Sequence, residues 1–201
     1  EKLKKHMRCL FTYGGMYLVC NSNLLYHASV PLNEDGSFKH VNICGKEYWG
    51  KNLLDKIDQL IRTAYFDEDD EEEKRFAMDY IWYLWCGPDA PSFDKDKMAT
   101  FERYFIADKS LHKETKGNYY ALRNKEEICD RILEEFGVTG QHTHIINGHV
   151  PVKTIKGEQP MKAGGKLLVI DGGFSKAYQP ETGIAGYTLV YHSHGLQLVQ
   201  H

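Results

Sequence analysis

Apolar, often β-branched residues gather in short runs near both ends of this chain, while the middle carries them at helical spacing. The pattern predicts two short strands, near Gly15 to Cys20 and Asn23 to His27, with Asn21-Ser22 as the turn between them. Residues 28 to 50 read as loop, punctuated by Pro31, Asn33 to Gly36 and Gly45. Leu53, Leu54, Ile57, Leu60 and Ile61 share one face of a helix that Asn52 would cap and that runs to about Tyr65. A second helix is predicted from Lys74 to Cys86, ended by Gly87-Pro88-Asp89-Ala90-Pro91. Phe93 to Ile106 is mixed and aromatic-rich, and residues 109 to 120 read as loop around Gly117. Asn124 with Glu127 suits the cap of a helix from Lys125 to Phe136, closed by Gly137. Strands follow near 142–147, 166–171, 184–191 and 195–200. Strands at both ends around a helical middle predict one α/β domain over residues 1–201, with a mainly helical insertion at about 50–125.

Composition narrows the classes of function. The 201 residues suffice for a substantial core, and 42% hydrophobic with 26% charged residues is ordinary for a globular protein. The 25 basic and 28 acidic residues give a net charge of −3, and no Lys/Arg stripe appears, which excludes nucleic acid as the main partner. Cys9, Cys20, Cys44, Cys86 and Cys129 are odd in number, widely spaced and without a Cys-x-x-Cys pair, so they read as reduced thiols. No run approaches the roughly 18 apolar residues of a membrane helix and no signal peptide is visible, so a cytoplasmic protein is expected. Asp67 to Glu73 is an unbroken acidic run. It reads as a solvated loop feeding the next helix, whose N-terminus tolerates acids, with a docking tail or cation site as the alternative. The opening without Met and the stop just after an apolar run suggest a piece of a longer protein.

Candidate chemistry concentrates where strands end. Ile145-Ile146-Asn147-Gly148-His149 reads as a buried strand closing on a Gly-His turn, which sets an imidazole at the C-terminal mouth where α/β sheets collect ligands. Neutral imidazole is a good ligand for divalent metals. His27 likewise ends an apolar strand, Leu24-Leu25-Tyr26-His27. Alone, each histidine suits a structural role; together they point to a shared metal site. His142 and His144 would share one face of a strand, a weaker chelating pair. A further buried strand, Lys166 to Asp171, closes on Gly172-Gly173.

These segments also carry a resemblance. Leu24-Leu25-Tyr26-His27 followed by Pro31, the turn Trp85-Cys86-Gly87-Pro88-Asp89 and the Gly148-His149 motif stand in the order found in calcineurin-like metallophosphoesterases. The blocks Lys97 to Phe105, Asp171 to Tyr178 and Thr182 to Leu189 resemble the class III fructose-1,6-bisphosphatases of bacteria, and the likeness spans essentially the whole chain. It implies the C-terminal half of a calcineurin-like β-sandwich core flanked by helices. It implies a cytoplasmic, gluconeogenic enzyme removing the 1-phosphate of fructose 1,6-bisphosphate with water activated by two divalent ions, Mn²⁺ by preference. The family's Gly-Asp-x-His, Gly-Asp-x-x-Asp-Arg-Gly and Gly-Asn-His motifs occur nowhere in the chain. His27 and His149 are therefore the metal ligands expected here, no catalytic residue is assigned, and the chain alone is expected to be inactive.

A sugar bisphosphate also needs an anion site away from the metals. Lys97, Arg103 and Lys176 are the candidates, each with a surface charge or ion pair as the alternative. Arg103 is expected to be partly buried by its aromatic neighbours. A protein or dinucleotide phosphatase of the same fold, or a binding module that kept the scaffold without catalysis, remains open, as does oligomerisation.

Overall fold

The computed structural model of the chain describes residues 1–68 and 70–201. It opens with helix α1 (Lys2–Tyr13), strands β1 (Tyr17–Cys20), β2 (Asn23–Tyr26), β3 (Val41–Ile43) and β4 (Lys46–Tyr48), and helix α2 (Gly50–Phe66). Next come α3 (Glu71–Cys86), α4 (Thr100–Phe105), α5 (Asn118–Leu122) and α6 (Glu126–Glu135). The remainder holds β5 (His144–Asn147), β6 (Met161–Lys162), β7 (Leu167–Val169), a short α7 (Gln179–Thr182), β8 (Tyr187–His192) and β9 (Gly195–Gln200). The chain is thus mixed α/β, as its hydrophobic pattern predicts. It divides into two compact units, residues 1–18 with 29–121, and residues 19–28 with 122–201. No helix among the described residues is long and apolar enough to cross a membrane.

The first unit is mainly helical. Leu53, Leu54, Ile57 and Leu60 are buried on α2, which packs on α3 at Ala77 and Leu84. The expected cap Asn52 lies inside α2, whose N-cap is Trp49 without a side-chain bond. Helix α3 starts earlier than Lys74: the Asp70 carboxylate accepts from the backbone N–H groups of Glu72 and Glu73 at 3.0 and 2.9 Å. Glu71, Glu72 and Glu73 form its first turn, where the helix dipole favours negative charge. Most of the acidic run is thus a helix start, while Asp69 lies outside the described residues. The β3–β4 pair and helix α1 were not anticipated. Strands β3 and β4 form a hairpin where loop was expected, turning through Cys44 and Gly45 with φ of 50° and 80°, the left-handed pair that a tight hairpin requires. Helix α1 buries no side chain, and Arg62 fixes its end by donating to the carbonyl oxygens of Phe11 and Gly14 at 2.6 and 2.9 Å.

The second unit is built on a five-stranded sheet of order β1-β2-β5-β7-β6. Strands β2, β5 and β7 are parallel, with Leu24 opposite Ile145 and Ile145 opposite Leu167. Those three residues are fully buried, as near-continuous apolar runs in parallel strands require. Helix α6 covers the sheet with Ile128, Cys129, Ile132 and Leu133. It begins after Lys125 without a side-chain cap, so Asn124 does not cap it, whereas Gly137 does close it in the left-handed region, φ 72°. Strands β8 and β9 pair as a separate antiparallel hairpin. The parallel register brings the C-terminal ends of β2, β5 and β7 to one rim of the sheet.

Candidate metal centre

His27 follows β2 directly, and Gly148-His149 follows β5, so neighbouring parallel strands deliver both imidazoles to the same rim. Two bonds tie their backbones together. The Gly148 N–H donates to the His27 carbonyl oxygen at 2.9 Å, and the Asn147 side-chain amide donates to that of Ala28 at 3.0 Å. The Val150 N–H returns to the Gly148 carbonyl oxygen at 2.8 Å, closing a three-residue turn centred on His149 with φ of 65°. This is the positive-φ γ-turn, the rare and strained form. Strain of this kind collects at ligand clamps, where the surrounding structure over-determines it.

The outcome is close approach of two ring nitrogens: His27 Nε2 and His149 Nδ1 lie 3.1 Å apart, with the rings nearly edge-on. Two ligands bonded to one ion at about 2.1 Å are separated by about 3 Å at a right angle and about 3.4 Å at the tetrahedral angle. The pair fits a shared divalent ion. The same spacing also suits an N–H···N hydrogen bond between neutral rings, and a metal would take the place of that proton. His27 is exposed at the rim, yet the strand ends around it displace enough water to lower its pKa, an effect the charge of Asp171 opposes. A lowered pKa favours the neutral ring, the form in which imidazole ligates.

Asp171 is the residue of this rim that sequence reasoning passed over as a ligand-site member. It comes two residues after β7, its carbonyl oxygen accepts from the Val152 N–H at 3.1 Å, and its Oδ1 accepts from the Gly172 N–H at 2.7 Å. A Cβ on Gly148 would stand 3.4 Å from the Asp171 Cβ and 3.8 Å from the His27 carbonyl oxygen, ordinary contact distances that mark how near the three strand ends lie. The available signal was topological: each of three parallel strands is followed within two residues by a polar side chain. Among the described residues no set of three or more His, Cys, Asp or Glu is arranged to hold a metal. The pair is half or less of a coordination sphere of roughly four to six ligands, and further ligands must come from elsewhere.

The other candidates have surroundings of their own. His142 is outside β5 and His144 Nδ1–H donates to the Gly165 carbonyl oxygen, 2.8 Å away, so the expected strand-face pair does not form. Arg103 is not partly buried as expected. It sits on the short helix α4 with its side chain 52% exposed, pairs with Glu114 at 3.4 Å and donates to the His112 carbonyl oxygen. Six residues give α4 too little surface to bury a guanidinium. Lys97, half-buried before α4, and Lys176, exposed after Gly172-Gly173, make no ion pair among the described residues.

A protein of Bacteroides thetaiotaomicron named fructose-1,6-bisphosphatase class 3 is 83% identical over 201 residues, which is all of this chain and 30% of that protein. Similarly named proteins of Parabacteroides distasonis and Clostridium tetani are 69% and 61% identical over the same 201 residues. The chain spans about 30% of the length of these curated relatives. No solved structure matches it. The profile of the Firmicute fructose-1,6-bisphosphatases matches residues 1–201, and the chain belongs to that family.

Proposed function

We propose that the whole protein hydrolyses the 1-phosphate of fructose 1,6-bisphosphate in the cytoplasm, and that this chain is the C-terminal part of its calcineurin-like catalytic core. In this reading His27 and His149 are two ligands of a divalent-metal site, with Mn²⁺ the preferred ion. Family membership and the names of the relatives support the substrate. The observation that carries the site is the 3.1 Å separation of His27 Nε2 and His149 Nδ1 at the mouth of parallel strands. Divalent ions held there would polarise a phosphoryl oxygen and lower the pKa of bound water. The chain's own contribution is placement. The bonds from Gly148 and Asn147 hold the two loops together, local desolvation lowers the His27 pKa, and the γ-turn aims His149 at it.

Lys97, Arg103 and Lys176 are proposed for the phosphate that does not react. Arg103 already shares its charge with Glu114, whereas the lysines do not, so the lysines are the stronger candidates.

Paramagnetic Mn²⁺ tests the site directly on this chain. Micromolar to millimolar Mn²⁺ is expected to broaden the NMR signals of His27, Gly148 and His149 first, and His149→Ala is expected to abolish that selectivity. Broadening centred instead on the acidic residues of 67–73 would remove the rim pair as a metal site. Because a pair of histidines does not complete a coordination sphere, the chain alone with Mn²⁺ is expected to release no phosphate from fructose 1,6-bisphosphate above a His149→Ala control.

A further inference from the structure

The segment Ile170-Asp171, just past β7, is pinned against the turn that carries His149. The Ile170 N–H donates to the Asn147 carbonyl oxygen at 2.9 Å, and the Val152 N–H donates to the Asp171 carbonyl oxygen at 3.1 Å. The segment is thus tied to the chain on both sides of His149. Behind it, a Cβ on Gly172 would overlap the Gly186 backbone and stand 2.8 Å from the Ala185 carbonyl oxygen, so only glycine fits there. Both obstacles are backbone and cannot swing aside as a flexible side chain would. The Gly173 N–H adds a bond to the Ile184 carbonyl oxygen at 3.2 Å.

The carboxylate is held as closely as its backbone. Asp171 Oδ1 accepts from the Gly172 N–H at 2.7 Å, which fixes the side-chain rotamer. Oδ2 lies 3.8 Å from the position a Gly148 Cβ would take, so the group faces the Gly148-His149 turn. Its charge also acts on the His27 ring. Among the described residues this half-buried carboxylate makes no ion pair. A charge partly withdrawn from water costs free energy unless it is paired, so an unpaired one beside two imidazoles points to a missing cation.

The charge balance of the rim agrees. Two neutral imidazoles bring lone pairs to a divalent ion and no negative charge. Asp171 is not placed as a third ligand, since no three such groups converge among the described residues. Carboxylates just outside a ligand set orient the histidines and raise the affinity of the site.

We infer that Asp171 is a positioning residue of this metal centre: from outside the ligand set, its carboxylate supplies the negative charge that draws a divalent cation to His27 and His149. The inference rests on the reading of the histidine pair as a divalent-metal site.

The test titrates the 201-residue chain with Mn²⁺ while following the NMR signals of His27, Gly148 and His149, in the parent and in two variants that separate charge from shape. Asp171→Asn keeps an acceptor for the Gly172 N–H and drops the charge. Asp171→Glu keeps the charge and disturbs that bond. Asp171→Asn is expected to need about tenfold more Mn²⁺ for the same broadening, with the Gly148 and Gly172 amide signals in place before the ion is added. Asp171→Glu is expected to stay close to the parent. A parent-like titration in Asp171→Asn would overturn the inference and leave the histidine pair standing. So would an equal loss in both variants, or displaced Gly148 and Gly172 signals in ion-free Asp171→Asn, since either traces the effect to packing rather than charge. If Mn²⁺ broadens none of these signals in the parent, the reading of the histidine pair falls and takes this inference with it.

Discussion

Asp94 shows how one side chain can cost stability and be kept. Burial pushes its carboxyl pKa up to about 6, with Asp89 adding to the rise and the Ser29 hydroxyl and Lys39 opposing it. The unfolded carboxyl loses its proton near pH 4, so between pH 4 and 6 the folded state binds more protons and stability falls as pH rises. The fall is on the order of 3 kcal/mol and is complete above pH 6. Asp94→Asn is expected to flatten that slope and to unfold at a higher temperature than the parent at pH 7; chemical denaturation at pH 4, 5, 6 and 7 checks it, and an unchanged slope would refute the burial argument. His149 offers a second residue-level contrast. At φ 65° alanine keeps the left-handed strain and glycine releases it, so His149→Gly is expected to melt above His149→Ala, by about 0.5–1 kcal/mol. The imidazole pair was legible from sequence because each histidine directly follows an apolar run that ends in a turn. Asp171 and Asp94 were not, since their importance arises from neighbours far along the chain: the end of β5 for one, Gly117 for the other.

Elements with a full amphipathic period were legible to within a few residues: α2, α3 and α6, and the parallel strands as short β-branched runs. Their starts were less so, because caps compete. At α3 the choice lay between Asp70 and a later residue, and the carboxylate of Asp70 decides it by satisfying two orphan N–H groups. Asp70→Ala is expected to lower stability by about 1 kcal/mol, read as a drop in thermal midpoint with little loss of helical signal beyond the first turn. An unchanged midpoint would mean that the acidic first turn supports itself. The β3–β4 hairpin escaped notice because Val41 to Ile43 and Lys46 to Tyr48 are too short, and too charged on Lys46 and Glu47, to show alternation. Helix α1 escaped it for a different reason: it has no buried face to leave a period, and a single arginine from α2 holds its end. Helix α3 also keeps Met78, Trp82 and Trp85 exposed at helical spacing, a stripe that periodicity alone would have assigned to a core.

Across the whole molecule, the two compact units interleave along the chain, residues 19–28 belonging with 122–201 while 29–121 form the body of the other. Each unit has its own buried core, so unfolding is expected to depart from a single two-state step, with a van't Hoff enthalpy below the calorimetric one. Equality of the two enthalpies would show that the units melt as one. The interleaving also has a consequence for synthesis. His27 and His149 are 122 residues apart, and β2 has no parallel partner until β5 has been made. At about 5–20 residues per second the ribosome leaves β2 waiting for roughly 6–24 s, an apolar strand with an open edge, while the intervening unit is completed and free to fold. His27 is therefore made well before it can be used. Any metal site it joins is assembled only once β5 has been made, on a scaffold whose β2 has had to be kept from pairing with something else.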